Sequence, residues 1–405
     1  MKKMIIILTS ILLSAAACGQ VDDVYYPRPT GDGGETTTPD TTIIPDASYW
    51  YDAADSATGR LISAFWNNTN NYFRMKFTPP ATQATGFQYW PQAHAMDVVI
   101  DAYIRTGDTR YSDYYPKWFT GVKAGNGGGY RNNYVDDMEW IALTMVRMYE
   151  TSQNEEYLNT ARQIYDDWII TQWTDAPPAY GGILWNTGQT SKNACSNGPA
   201  GVLACRLAEL VSDAAAKEKY KADAVRIYNW VKNILMNGNG DVFDNMNGAG
   251  AISNVVLSYN MGTVMGTAHG LYKLTGTRSY LDDAVRIANR TTTNGGTMDQ
   301  NTGCLRSEGA GDGDNGLFKG IFIRYFVKLI NDPDVEKAKR QQFYTFMVHN
   351  ATTLWTKGTH KEGDYYAFFG DNWATAIAQS GGVGMQGDVS GCTLLEAMNA
   401  LQPIE

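Results

Sequence analysis

From residue 48 onward, apolar residues recur at the three-and-four spacing of one buried helical face, and no run alternates as a half-buried strand would. A helix, a tight turn and a second helix opening on tyrosine repeat along the chain. One copy is Tyr103-Ile104-Arg105-Thr106-Gly107-Asp108-Thr109-Arg110-Tyr111. A second is Met148-Tyr149-Glu150-Thr151-Ser152-Gln153-Asn154-Glu155-Glu156-Tyr157-Leu158, and a third is Leu271-Tyr272-Lys273-Leu274-Thr275-Gly276-Thr277-Arg278-Ser279-Tyr280-Leu281. These last two share a tail, with Tyr157, Ala161 and Ile164 matching Tyr280, Ala284 and Ile287. Leu207 to Tyr220 and Phe326 to Phe343 are looser copies. Each copy reads as a helical hairpin with Thr-Gly or Ser-Gln at its turn.

The leading helices are expected to start near 48, 91, 135, 197, 258, 315 and 371 or 392, a spacing of roughly 45 to 60 residues that signals a repeat architecture. About six hairpins predict an all-α fold, a closed (α/α)6 barrel, with an open solenoid as the alternative. Closure is favoured because unusual residues collect ahead of the leading helices: Gly125 to Tyr130, Tyr180-Gly181-Gly182, Gly248 to Gly250 and Gly309 to Gly316. Loops gathered at one end would rim one pocket.

The N-terminus carries a different pattern. Met1-Lys2-Lys3 is a positive start, Met4 to Leu13 an apolar run too short to span a bilayer, and Ser14-Ala15-Ala16-Ala17 a small-residue cleavage region followed at once by Cys18. Residues 1–17 are similar to a bacterial lipoprotein signal, in which Cys18 is acylated. An ordinary secretory signal is the alternative, and either one exports the protein. Residues 18–46, rich in Asp, Thr, Pro and Gly, bury too little to offset their ordering entropy and read as a tether. Residues 47–405 are left as a single domain. Asp22-Asp23 resembles the acidic export signals of surface lipoproteins in Bacteroidetes, so the expected location is the outer membrane of a Gram-negative bacterium, at the cell surface or periplasmic face.

Composition narrows the partners. A net charge of −9 excludes nucleic acid, and the membrane is expected to be met through the lipid anchor alone, by a monomer. The 25 Tyr, 11 Trp and 13 Phe shift the reading modestly toward carbohydrate, since amphipathic rings stack on sugar faces. Cys195, Cys205, Cys304 and Cys392 are widely spaced with no CxxC and read as buried free thiols.

Asp136 and Asp137 stand where a glycine-rich loop runs into the third leading helix, in Asn133-Tyr134-Val135-Asp136-Asp137-Met138-Glu139-Trp140. A carboxylate pair is the minimum equipment for cleaving a glycosidic bond. A helix N-terminus favours negative charge, so one member can stay ionised as nucleophile. Two close carboxylates resist joint ionisation, so the other is pushed toward its protonated form and can serve as acid. A retaining pair needs carboxyls about 5–5.5 Å apart and an inverting pair about 6.5–9.5 Å, and neighbours at a helix end reach the shorter value more readily. On spacing alone the plainer reading is the stronger one: Asp136 caps the helix and Asp137 is a solvated first-turn acid. Glu139 reads as a first-turn partner of the helix dipole.

Several motifs occur in order: Tyr134-Val135-Asp136-Asp137-Met138-Glu139-Trp140, Gly181-Gly182-Ile183-Leu184-Trp185, Lys192-Asn193-Ala194-Cys195-Ser196-Asn197-Gly198-Pro199, Ser258-Tyr259-Asn260-Met261-Gly262-Thr263 with Ala268-His269-Gly270-Leu271-Tyr272, and Gly316-Leu317-Phe318-Lys319-Gly320-Ile321-Phe322. Together they resemble glycoside hydrolase family 76, the bacterial and fungal endo-α-1,6-mannanases, over about residues 48 to 400. The resemblance implies an (α/α)6 barrel, an α-mannan substrate and retention of configuration. It also implies that Asp136 is the nucleophile and Asp137 the general acid/base. Cys195 is a size-conserving variation within its motif.

Asn193, Asn197, Tyr259 and Asn260 carry groups suited to sugar hydroxyls, and equally to caps and loop braces. Trp185 is a candidate sugar platform, whereas Trp140 reads as core. Lys319, set among Leu317, Phe318, Ile321 and Phe322, is a further substrate-binding candidate that calls for a partner, expected to be Asp312 or Asp314. His94 and His269 read as hydrogen-bonded core residues. No HExxH, GxSxG or P-loop pattern is present. Asp312-Gly313-Asp314-Asn315-Gly316 has the wrong spacing for a calcium loop, so no metal and no cofactor are implied. Another (α/α)6 carbohydrate enzyme, such as an unsaturated uronyl hydrolase or a polysaccharide lyase, would need a basic cluster that the pocket loops lack. A glycan-binding surface lipoprotein is the non-enzymatic alternative.

Overall fold

The computed structural model describes residues 47–81, 84–309 and 313–404; the expected signal, Cys18, tether and Asp312 lie outside them. Its long helices are α1 (Ala47–Phe65), α2 (Pro91–Thr106), α3 (Tyr114–Gly125), α4 (Val135–Ser152), α5 (Glu155–Ile164), α6 (Ala194–Leu210), α7 (Ala214–Ile234), α8 (Ser258–Thr275), α9 (Arg278–Thr291), α10 (Asn315–Asn331), α11 (Lys337–Lys357) and α12 (Met385–Ala400). The even-numbered helices pack each on the next, and α12 returns to α2, which closes the ring. The odd-numbered helices lie outside it, giving the expected (α/α)6 barrel.

Burial separates the two rings. Almost every residue of α6, α10 and α12 is buried, as an inner helix requires. By contrast α9 buries one stripe, Leu281, Asp283, Ala284, Ile287, Ala288 and Thr291. Glycines let the inner helices approach closely: a Cβ on Gly262 of α8 would stand 2.6 Å from the Phe322 Cα of α10, and one on Gly320 of α10 would stand 2.8 Å from the Ser390 Cα of α12.

Two expected boundaries are corrected. The helix near 48 is an outer one, packing on α12 and α2; its run of Ala53, Ala54, Ala57, Leu61 and Ala64 has the small, apolar character of an inner helix. The last inner helix starts at Met385, because Asp371 belongs to a loop and 392 falls inside the helix.

The repeated turns share one hydrogen-bond pattern. Gly107, Gln153 and Gly276 each take a left-handed conformation and donate their N–H to the carbonyl of Tyr103, Tyr149 and Tyr272. One residue later, the N–H of Asp108, Asn154 and Thr277 is donated to the hydroxyl of Thr106, Ser152 and Thr275. These inner-to-outer turns are short and reverse the chain, so all six inner helices start at one barrel end. Every long connection, 66–90, 126–134, 165–193, 235–257, 292–314 and 358–384, reaches that same end.

Short strands tie these connections together. They are β1 (Trp66–Asn67), β2 (Tyr72–Phe73), β3 (Lys76–Phe77), β4 (Lys192–Asn193), β5 (Phe243–Met246), β6 (Ile252–Val256) and β7 (Val383–Gly384), all paired antiparallel. The sheet β4-β5-β6 and the pair β3-β7 each join loops that are distant in sequence. Cys195, Cys205, Cys304 and Cys392 are free and buried.

Candidate active site

Asp136 and Asp137 occupy the first turn of α4 at the end where the long connections gather. Neither caps the helix: the cap residue is Tyr134, and it makes no side-chain cap bond. Asp136 turns its carboxyl inward. Its Oδ2 accepts from the Trp185 indole N–H at 3.3 Å, while Oδ1 is buried without a nitrogen or oxygen partner among the described residues. The Cys195 thiol is the polar group beside this carboxylate, and the Tyr259 hydroxyl adjoins the thiol on its other side. Tyr259 is in turn fixed by stacking on Phe318 at 3.8 Å.

Burial pushes Asp136 up to about 7, with the Trp185 and Cys195 contacts holding it back. Asp137 goes well above the usual carboxylate range, because it is buried and because the Asp136 and Asp314 charges repel its own. Among the described residues no donor offsets that rise. The environments therefore separate the pair: Asp136 is the member that ionises first, and Asp137 is the member that keeps its proton.

Glu139 departs from its expected place as a first-turn dipole partner. It is fully buried one turn below the pair beside the Ala200 backbone amide, and burial drives its pKa well up despite that donor. Its setting in the barrel wall favours the protonated form. Trp140 packs against His94 in the core, as expected. His94 stays neutral, since burial lowers its pKa to about 3, and its Nε2 finds no partner among the described residues, contrary to expectation. His269 is held at 2.6 Å from Asp332 Oδ2.

The substrate-binding candidates divide. Trp185 and Tyr259 keep partial exposure beside Asp136, with Trp185 set against Tyr134 at 5.1 Å. Asn197 has no exposed surface; its amide accepts from Ile183 N–H at 2.8 Å and donates to the carbonyls of Ile183 and Asn193, which braces the loop carrying Trp185. Asn193 is buried and accepts from the Ser191 hydroxyl. Asn260 is fully buried and donates to Asp244 Oδ1 at 3.1 Å.

Lys319 is corrected on two counts. It has no exposed surface, and its partner among the described residues is Asp371, not Asp314: Nζ donates to the Asp371 carbonyl, lies 3.6 Å from Oδ1 and faces the Trp373 ring. Asp371 also accepts from the N–H groups of Glu308 and Gly309. A buried ammonium demands such company, so Lys319 braces two rim loops instead of meeting a sugar. Asp314 instead accepts from the Trp90 indole at 3.2 Å and helps to raise Asp137.

Asp244 was not foreseen. It lies in β5, is held by Asn245 and Asn260, and places a carboxylate near Cys195 and Tyr259. Its strand is four residues long and nothing in its sequence pattern marks it as a wall of the site.

A helical barrel whose loop-rich end presents two adjacent carboxyls, unequal in proton affinity and flanked by aromatic rings, defines the carbohydrate-active (α/α)6 class. The chain belongs to glycosyl hydrolase family 76, whose profile matches residues 49–405. An inactive double-aspartate variant of the α-1,6-mannanase GH76A of Salegentibacter sp. HEL1_6, in complex with α-1,6-mannotetrose, superposes with a TM-score of 0.79 at 34% identity, over 87% of this chain and 99% of that one. The Lin0763 protein of Listeria innocua aligns at 28% identity and a TM-score of 0.75, over 86% and 96% of the two chains. A Schizosaccharomyces pombe protein named as a candidate mannan endo-1,6-α-mannosidase is 25% identical over 245 residues, 53% of this chain and 50% of its own. The chain spans about half the length or less of the curated relatives it matches.

Proposed function

We propose that this chain is a retaining glycoside hydrolase that cuts α-1,6-mannan backbones internally, tethered to the outer membrane by a lipid on Cys18 and acting as a monomer. In the first step the Asp136 carboxylate attacks the anomeric carbon, the glycosidic C–O bond breaks, and Asp137 gives its proton to the departing oxygen. Esterification removes the Asp136 charge that was raising the Asp137 pKa. Asp137, now ionised, takes a proton from water as the hydroxyl attacks the mannosyl ester, and Asp136 is released as carboxylate. Two inversions return the α configuration.

The observation that carries this reading is the unequal setting of the pair, Asp136 held by the Cys195 and Trp185 donors and Asp137 raised by burial and by the Asp136 charge, in a family whose Salegentibacter member is an α-1,6-mannanase inactive when two aspartates are replaced. The test is digestion of unbranched α-1,6-mannan by wild type, Asp136→Ala and Asp137→Asn. Oligosaccharides are expected from wild type alone. Binding without cleavage by wild type would support a glycan-binding protein instead.

A further inference from the structure

Tyr180 has no role in the chemistry above, yet its setting is costly. It is 74% exposed, and φ of +44° places it in the left-handed region, where a bulky side chain is an outlier. Such a conformation persists only where the surroundings dictate it. Here they do: the carbonyl before it, Ala179, accepts from the Trp230 indole at 3.1 Å, and the carbonyl after it, Gly181, accepts from Lys192 Nζ. Gly181 N–H is donated to Thr174 at 3.2 Å. Gly181 and Gly182 lie so close over Trp173 and Trp230 that a Cβ on Gly182 would come within 2.6 Å of the Trp230 ring. The pedestal is held on both sides, whereas the tyrosine ring and hydroxyl it presents make no hydrogen bond or ring contact among the described residues.

The pedestal stands at the catalytic end. Tyr180 shares its loop with Trp185, and five residues of chain set their separation at no more than about 17 Å. Pro178 lies close to Gly250 at the tip of the β5–β6 hairpin, where a Cβ on the glycine would stand 3.0 Å from the proline ring, and Ile252 and Val255 of that hairpin are also exposed. Glycine at position 180 would relieve the backbone at no steric cost, and this chain carries tyrosine there instead.

We propose that Tyr180 is a sugar-stacking platform that holds the mannan chain a few rings away from the Asp136–Asp137 pair. The proposal rests on the mannanase reading for its ligand. The exposed face of a phenol on a fixed backbone suits a pyranose ring, because no backbone has to be ordered on binding and only two side-chain torsions are restricted.

The test compares wild type with Tyr180→Gly and Tyr180→Trp. Tyr180→Gly removes the ring and relaxes the backbone, so its Tm should equal or exceed that of wild type, while the ratio of kcat/KM on long mannan to that on mannotriose falls roughly three- to tenfold. Tyr180→Trp should keep the ratio. An unchanged ratio in Tyr180→Gly, or a lowered Tm that marks the ring as structural, overturns the proposal. Should wild type cleave no mannan, the mannanase reading fails. Electrophoretic retardation in a mannan-containing gel then decides the platform: loss of retardation in Tyr180→Gly supports it, and equal retardation overturns it.

Discussion

The indole N–H of Trp185 points at Oδ2 of Asp136 across 3.3 Å, and 49 residues of chain separate the two. The Cys195 thiol, that indole and the backbone amides of Asp136 and Asp137 hold back the rise that burial imposes on Asp136, and Asp137 has no such offset among the described residues. An aromatic residue first considered as a sugar platform is thereby also the group that orients the proposed nucleophile.

The unequal pair predicts a bell-shaped pH dependence of kcat/KM. Its acid limb should titrate near 7 as Asp136 ionises, and activity should fall above that as Asp137 loses its proton. Stability carries the same signature. Asp136, Asp137 and Glu139 all have folded pKa values raised above their unfolded ones, so their contribution is full below about pH 4 and is lost as pH rises through 7 and beyond. Tm should fall between pH 5 and pH 8, and Asp136→Asn/Asp137→Asn should flatten that fall. Thermal scans across this range check it.

Cys195 is expected to tune the acid limb. A serine hydroxyl donates more strongly than a thiol, so Cys195→Ser should move the limb down by roughly 0.5 unit, and Cys195→Ala should move it up. Paired pH profiles of kcat/KM provide the measurement; limbs that stay fixed in both variants would show that the thiol does not bear on Asp136.

Lys319→Met should behave as the loss of half a buried ion pair. A cost of about 3–5 kcal/mol is expected from the Asp371 carboxylate left without its cation. Asp371→Asn in the same chain should recover part of it. Urea denaturation reads the effect. A contact with sugar would instead raise KM and leave the urea midpoint in place.

Gly262→Ala separates packing from propensity. In an open helix the change gains about 1 kcal/mol, but here the new Cβ would press on the Phe322 backbone of the adjoining helix, and overpacking costs about 1–3 kcal/mol. The net expectation is a lower urea midpoint.

The sequence made the hairpins legible because each turn is local: Tyr103, Thr106 and Gly107 carry their own hydrogen bonds, as do their counterparts at 149–153 and 272–276. The aspartate pair was visible for the same reason, through its place at a helix start. What escaped was long-range. Lys319 finds Asp371 across 52 residues, Asn197 serves the backbone of Ile183, and Asp244 enters through a hairpin too short to show a period. The ring to which the helix at 47–65 belongs depends on closure between the two ends of the chain, where Thr58 donates to Glu396, and no periodicity within that helix encodes it.

Retention is the claim on which the division of labour between Asp136 and Asp137 rests. Proton NMR during the first minutes of α-1,6-mannan digestion, before mutarotation, reads the configuration at the new reducing end. The α-anomer should appear first, with β growing in later. Initial release of the β-anomer would contradict attack by Asp136 and require water as the direct nucleophile.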